Sequence, residues 1–160
     1  MSTDVQINTI SHEEWMKRAL KLAVRAFDND EVPVGCIIVH DNEIIGQGYN
    51  QCESLNDSTA HAEMIAITAA SSTLNAWRLN ECAIYVTKEP CPMCAGAIVN
   101  SRIEKVYFGC YDEELGACGS KFEICGNPNS ATPSVIKGGI LESESLSLIQ
   151  EYFSIKRKGK

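Results

Sequence analysis

The stretch Arg78–Ile103, RLNECAIYVTKEPCPMCAGAIVNSRI, decides the fold. Ala83 to Lys88 (AIYVTK) is dense in β-branched and aromatic residues, which predicts a strand. Cys91 to Asn100 (CPMCAGAIVN) predicts a short helix, with Pro92 tolerated in its first turn. Downstream, Lys105 to Gly109 (KVYFG) predicts another strand. Cys110 to Pro133 is rich in Gly, Asn and Ser and reads as a surface loop, and Val135-Ile136 reads as a short edge strand. A closing amphipathic helix is expected from Glu142 to about Lys156, carrying Leu146, Ile149, Tyr152 and Phe153. Upstream, Ser11 to Asp28 reads as a helix, with Ser11 and Glu14 as a capping box. Its apolar stripe is Met16, Leu20, Ala23, Val24 and Phe27. Pro33 breaks the chain, and Val34–His40 and Glu43–Asn50 then form an antiparallel hairpin about Asp41-Asn42. Gln51 to Thr59 is a polar loop, and Thr59 is placed to cap a helix from Ala60 to about Leu74. The order α-β-β-α-β-α-β-(loop)-α predicts an α/β fold with a mixed sheet and helices on both faces.

The chain has 160 residues, the size of one domain. Apolar residues make up 44% and charged residues 22%, so extended disorder is not expected. Fourteen basic residues against 21 acidic give −7, which argues against a surface that coats DNA. Four of the 14 lie in the last five positions, so residues 1–155 carry 10 basic against 21 acidic groups, or −11. The body is acidic and the tail is basic. MSTDVQINTISHEEW has neither a basic n-region nor an apolar h-region, so it does not read as a signal peptide. No stretch approaches the ~18 apolar residues of a membrane span. The expected compartment is the cytoplasm, where the eight cysteines stay reduced and divide into metal ligands and small buried hydrophobes.

Two clusters carry chemistry: His61-Ala62-Glu63 and Pro90-Cys91-Pro92-Met93-Cys94. Cys91 and Cys94 are three apart in a helical first turn, so their sulfurs share a side. The helix N-terminus favours thiolate, the ligand form. If the two helix starts are neighbours, His61, Cys91 and Cys94 surround one tetrahedral ion and leave a fourth position for water, as in catalytic zinc sites. Zinc brings the pKa of such a water to about 7, and Glu63 is then the general acid–base beside it. Taken alone, C-x-x-C fits a redox pair or half of a structural zinc site equally well, with Cys110, Cys118 or Cys125 as further ligands. Together, H-x-E and P-C-x-x-C form the known signature of zinc nucleobase deaminases.

On these residues the chain resembles the zinc-dependent cytidine deaminase superfamily, and within it the bacterial tRNA-specific adenosine deaminases. The likeness covers roughly residues 11–157. It rests on EVPVG (31–35), IGQGYN (45–50), TAHAE (59–63), the 78–103 stretch, FGCYDEELGACGS (108–120) and GGIL (138–141). The resemblance implies a three-layer α-β-α domain with a five-stranded mixed sheet. It also implies one Zn²⁺ per subunit on His61, Cys91 and Cys94, and hydrolytic conversion of adenosine to inosine at a tRNA wobble position. By the same likeness Asn50 meets the flipped base, Val32, Pro33, Val34 and Ala62 belong to the pocket, and Cys110 and Asp112 lie in a loop touching flanking nucleotides. Phe153 packs on an adjacent base, and Lys156, Arg157 and Lys158 meet phosphates. The implied partner is a tRNA anticodon stem-loop held by a homodimer, with no DNA and no membrane.

The sequence departs from that pattern at Tyr111 and Glu114, where basic residues are common, at Ser58, usually Pro, and at Lys88, commonly apolar. Glu113-Glu114 add negative charge beside the expected RNA loop. Two other readings of the same signature are a small-molecule deaminase acting on guanine, cytosine or a nucleoside, and a zinc-stabilised, non-catalytic RNA-binding subunit. The second usually goes with loss of the Glu, and Glu63 is present.

Overall fold

A computed structural model of the chain describes residues 9–159. The first helix, α1 (His12–Asp28), starts where the capping box predicts, with the Ser11 side chain accepting from the Glu14 N–H. Its buried face is Trp15, Met16, Ala19, Ala23 and Ala26, whereas Val24 is exposed. The expected stripe is therefore rotated toward the alanines. The reason is close approach: a Cβ on Gly35 would lie 2.0 Å from the Ala19 carbonyl oxygen, so the helix lies directly on the backbone of the next strand.

That strand is β1 (Gly35–His40), which forms the expected antiparallel hairpin with β2 (Glu43–Tyr49). Asp41 and Asn42 both adopt positive φ, +48° and +61°, as a two-residue hairpin turn requires. The polar segment that follows is not all loop, for it contains a short helix, α2 (Cys52–Leu55). Its amides are capped from a distance: the buried Glu31 carboxylate accepts from the Glu53 and Ser54 N–H groups at 3.1 and 2.7 Å.

The next helix, α3 (Ala62–Leu74), is capped at His61 and not at Thr59. The Thr59 amide and hydroxyl are both spent on Asp57 Oδ1, at 2.8 and 2.7 Å. The Ala62 N–H is satisfied instead by Asn50 Oδ1 at 2.9 Å. Then come β3 (Ala83–Lys88), α4 (Pro92–Asn100) and β4 (Lys105–Cys110). Cys110 thus belongs to the strand and not to the loop, since Lys88 pairs with it and its carbonyl accepts from the Glu89 N–H at 2.8 Å. The chain closes with β5 (Val135–Lys137) and α5 (Glu142–Lys158), the latter two residues longer than expected.

The five strands form one mixed sheet in the order β2-β1-β3-β4-β5. β1 is antiparallel to both β2 and β3, while β3, β4 and β5 run parallel. Alternate residues feed two cores. Ile38, Ile84, Val106 and Phe108 pack with Ala66 of α3 and Ile98 of α4. Ile37, Tyr85 and Tyr107 pack with Trp15 and Met16 of α1 and with Ile140 just before α5. The central strands are buried on both faces and carry continuous apolar runs. The result is the predicted three-layer α-β-α arrangement. Both helices of one layer begin at the same sheet end, where β3 turns into α4, and ligand crevices of α/β sheets open at such strand ends.

Candidate metal centre and nucleotide cleft

His61 and Cys91 occupy equivalent positions, the N-caps of α3 and α4, and Cys94 lies in the first turn of α4. The facing helix starts bring one nitrogen and two sulfurs together. His61 Nδ1 is 3.6 Å from Cys91 Sγ and 3.5 Å from Cys94 Sγ, and all three atoms lie within 4.8 Å of one another. Zinc bonds of about 2.0–2.1 Å to nitrogen and about 2.3 Å to sulfur, at tetrahedral angles, place such ligands about 3.5–3.6 Å apart. The three side chains are therefore set for a zinc ion. The Cys94 thiol and the His61 imidazole hold Cys91 down at about 4, while its bond to Cys91 and burial push Cys94 up. Cys110, Cys118 and Cys125 are not in the cluster. Among the described residues no fourth cysteine joins the three, which leaves the four-ligand structural reading of C-x-x-C without support.

Glu63, in the first turn of α3, is buried, and desolvation holds its carboxyl above the usual range. It lines a cleft of about 200 Å³ together with His61 and Cys91. That is below the 300–1,000 Å³ of drug-sized sites and suits one planar base. Val32 and Val34 supply an apolar wall. Pro33 and Ala62 are buried beside the cleft but do not line it. Asn50 lines the cleft and also braces it. Its Nδ2 donates to the Val32 carbonyl at 3.1 Å while its Oδ1 takes the Ala62 N–H. One amide hydrogen and one lone pair stay available to a ligand.

Four residues line the cleft that the sequence does not mark as site residues: Cys52, Lys88, Glu89 and Leu115. Glu89 is buried and gathers four donors from the following loop. These are the N–H groups of Asp112, Cys118 and Ser120 at 3.2, 3.1 and 3.1 Å, and the Ser120 hydroxyl. Asp112 faces the cleft and pairs with Lys88 at 3.1 Å. Burial alone would raise the Asp112 pKa, but the Lys88 ammonium and the Leu115 and Glu114 amides outweigh it and lower it. Cys110, expected in a loop touching flanking nucleotides, is instead buried at the end of β4 and does not line the cleft.

A second, wider groove of about 760 Å³ runs alongside and shares Val32 with the cleft. Phe153, Lys156 and Arg157 line it, and Phe153 is 41% exposed, so it is no core residue. Its neighbour Tyr152 is the buried one. Lys156 pairs with Asp30 across the groove. Lys158 is exposed at the end of α5 and lies outside the groove lining.

A metal triad presented by two helix starts over a mixed sheet, with a buried carboxyl beside it, defines a zinc-dependent hydrolase of the nucleobase-deaminase class. Residues 9–110 match the cytidine and deoxycytidylate deaminase zinc-binding region, and the chain belongs to that family. It is 40% identical over 148 residues to the tRNA-specific adenosine deaminase of Bacillus subtilis (strain 168), a match covering 92% of each chain. It is 44% identical over 160 residues to the chloroplastic tRNA(adenine(34)) deaminase of Arabidopsis thaliana, covering 90% of this chain but 12% of that much longer protein. A solved structure from studies of A-to-I editing by tRNA:A34 deaminases at the wobble position of transfer RNA superposes with a TM-score of 0.79. It is 39% identical and covers 83% of this chain and 96% of the other.

Proposed function

We infer that the chain is a single-domain tRNA adenosine deaminase that converts a wobble adenosine to inosine: adenosine plus water gives inosine plus ammonia. The observation that carries this reading is the likeness to the Bacillus subtilis enzyme, which covers 92% of each chain and so includes the cleft and the loop after β4.

When bound by His61, Cys91 and Cys94, zinc supplies Lewis acidity that brings a coordinated water to a pKa near 7. Glu63 takes the proton of the attacking water and delivers it to the purine ring and then to the departing amine. Its burial keeps that proton from bulk solvent. Asn50 meets the edge of the extruded base, and Val32 and Val34 pack on its face. Asp112 meets the nucleotide beside it. The groove that continues past Val32 takes the strand onward, with Phe153 stacking on a neighbouring base and Lys156, Arg157 and Lys158 facing phosphates. The working form is a homodimer in the cytoplasm. No helix among the described residues is long and apolar enough to cross a membrane.

The test is to incubate the zinc-loaded protein with an anticodon stem-loop carrying a wobble adenosine, and separately with guanine, cytosine, cytidine and adenosine. Inosine in the RNA, with the free bases untouched, is the expected result. Ammonia released from guanine alone overturns the reading in favour of small-molecule deamination.

A further inference from the structure

The cleft is charged in an uneven way. Glu63, Glu89 and Asp112 line it, and against these three carboxyls stands Lys88, the one Lys or Arg in its lining among the described residues. Lys88 is the last residue of β3, three positions before the ligand Cys91. Its side chain is one-third exposed, so the ammonium sits toward the cleft mouth and not on its floor with the buried Glu63. It pairs with one oxygen of Asp112, Oδ2, at 3.1 Å. The other oxygen, Oδ1, is held independently by the Glu114 and Leu115 N–H groups at 3.0 and 3.1 Å. Lys88 can therefore leave Asp112 without releasing the loop, and Asp112 keeps two donors when it does. A four-carbon ammonium is a compact, mobile point charge suited to a phosphate oxygen.

We propose that Lys88 is a specificity residue that exchanges Asp112 for the phosphodiester flanking the reacting nucleotide, so that the cleft engages a nucleotide within a chain better than a free base or nucleoside, which has no phosphate to offer. The proposal rests on the RNA reading above. Its physical content is one counterion-releasing contact at the cleft mouth, separate from those of the basic end of α5.

The experiment measures binding of the zinc-loaded protein to the wobble-adenosine stem-loop as a function of salt. It uses a Glu63→Gln background so that the RNA stays unconverted. Each single-strand phosphate contact contributes about 0.7 to the slope of log affinity against log salt. Lys88→Met should lower the slope by about 0.7, so between 50 and 200 mM salt it loses about 2.6-fold less affinity than its parent. Lys88→Arg should restore the slope. Stem-loops carrying a neutral methylphosphonate at either phosphate flanking the target adenosine locate the contact. One position should weaken binding to the Lys88 protein and leave the Lys88→Met protein indifferent. An unchanged slope, or a methylphosphonate penalty equal in both proteins, overturns the proposal and makes Lys88 a structural pin for the loop. Absence of salt-dependent binding by the parent, together with no inosine made by the unsubstituted enzyme, overturns the RNA reading itself.

Discussion

Glu89→Gln removes one charge and almost no volume, and its cost can be worked from the bonds it serves. Oε1 accepts from the Asp112 N–H and the Ser120 hydroxyl, and Oε2 from the Cys118 and Ser120 N–H groups. The best placement of a glutamine keeps its oxygen on Cys118 and Ser120 and turns its NH₂ toward Asp112. The Ser120 hydroxyl can then rotate and accept. The Asp112 N–H cannot, and a buried unsatisfied donor costs about 1–3 kcal/mol. The two surviving bonds lose their charge assistance, about 1 kcal/mol each. The sum is about 3–5 kcal/mol. For a chain of this size each kcal/mol moves Tm by about 2–4 °C, so a drop of roughly 10 °C is expected. Thermal unfolding at fixed, saturating zinc measures it. Limited proteolysis should show new cleavage in the 110–120 segment, and KM for the stem-loop should rise because Asp112 and Leu115 are no longer held at the cleft. A Tm within 2 °C of the parent, with the loop still protected, would refute the view that this carboxylate organises the loop.

Glu63→Gln should keep one zinc per chain and lower kcat by on the order of 10²–10⁴. Loss of metal as well would move Glu63 into the role of holding the site. Chelation should lower the apparent stability by about 4 kcal/mol if free zinc stood at 1,000 times its Kd, and an unchanged Tm would mean that the triad binds no metal in the folded state. Gly35→Ala drives a Cβ to 2.0 Å from the Ala19 oxygen and 2.5 Å from the Ala23 nitrogen, both backbone atoms that cannot turn aside. Destabilisation at or above the usual 1–3 kcal/mol of overpacking is expected, and a wild-type Tm would contradict the close packing of α1 on β1. Carboxyl NMR should find Asp112 titrating below the ordinary aspartate range and rising in Lys88→Met. A folded pKa below the unfolded one means that the stabilisation is present above about pH 3.9 and is lost as pH falls through the folded value. An Asp112 that titrates identically in the Lys88→Met protein removes the ion pair as its cause.

The metal set was legible because its spacing is local. Cys91 and Cys94 share a helical turn whatever the rest of the chain does, and a His two residues before a Glu at a second helix start completes a pattern with few other uses. The strands were legible for the same reason: Ile84, Val86, Val106 and Phe108 are dense apolar residues that satisfy a buried sheet on their own. What escaped were interactions whose partners lie far apart in sequence. Thr59 is spent locally on Asp57, but nothing near the start of α3 shows that Asn50, 12 residues before Ala62, takes the Ala62 N–H. Nothing near Glu31 shows that it caps α2, 22 residues on. Glu89 reads as an unremarked residue before a proline until the loop 23–31 residues later folds over it.

The sequence by itself determined the layers of the fold, the metal triad and the glutamate two residues after its histidine, because these follow from periodicity and from residue types at fixed local spacing. Only the tertiary structure decided which side chains line the cleft and which brace it. It buried Cys110, exposed Phe153 and set Lys88 against Asp112 at the mouth. That division has a physical cause: a carboxylate's hydrogen bonds and a side chain's exposure are set by whatever the rest of the chain brings within about 3 Å, and propensity does not encode that proximity.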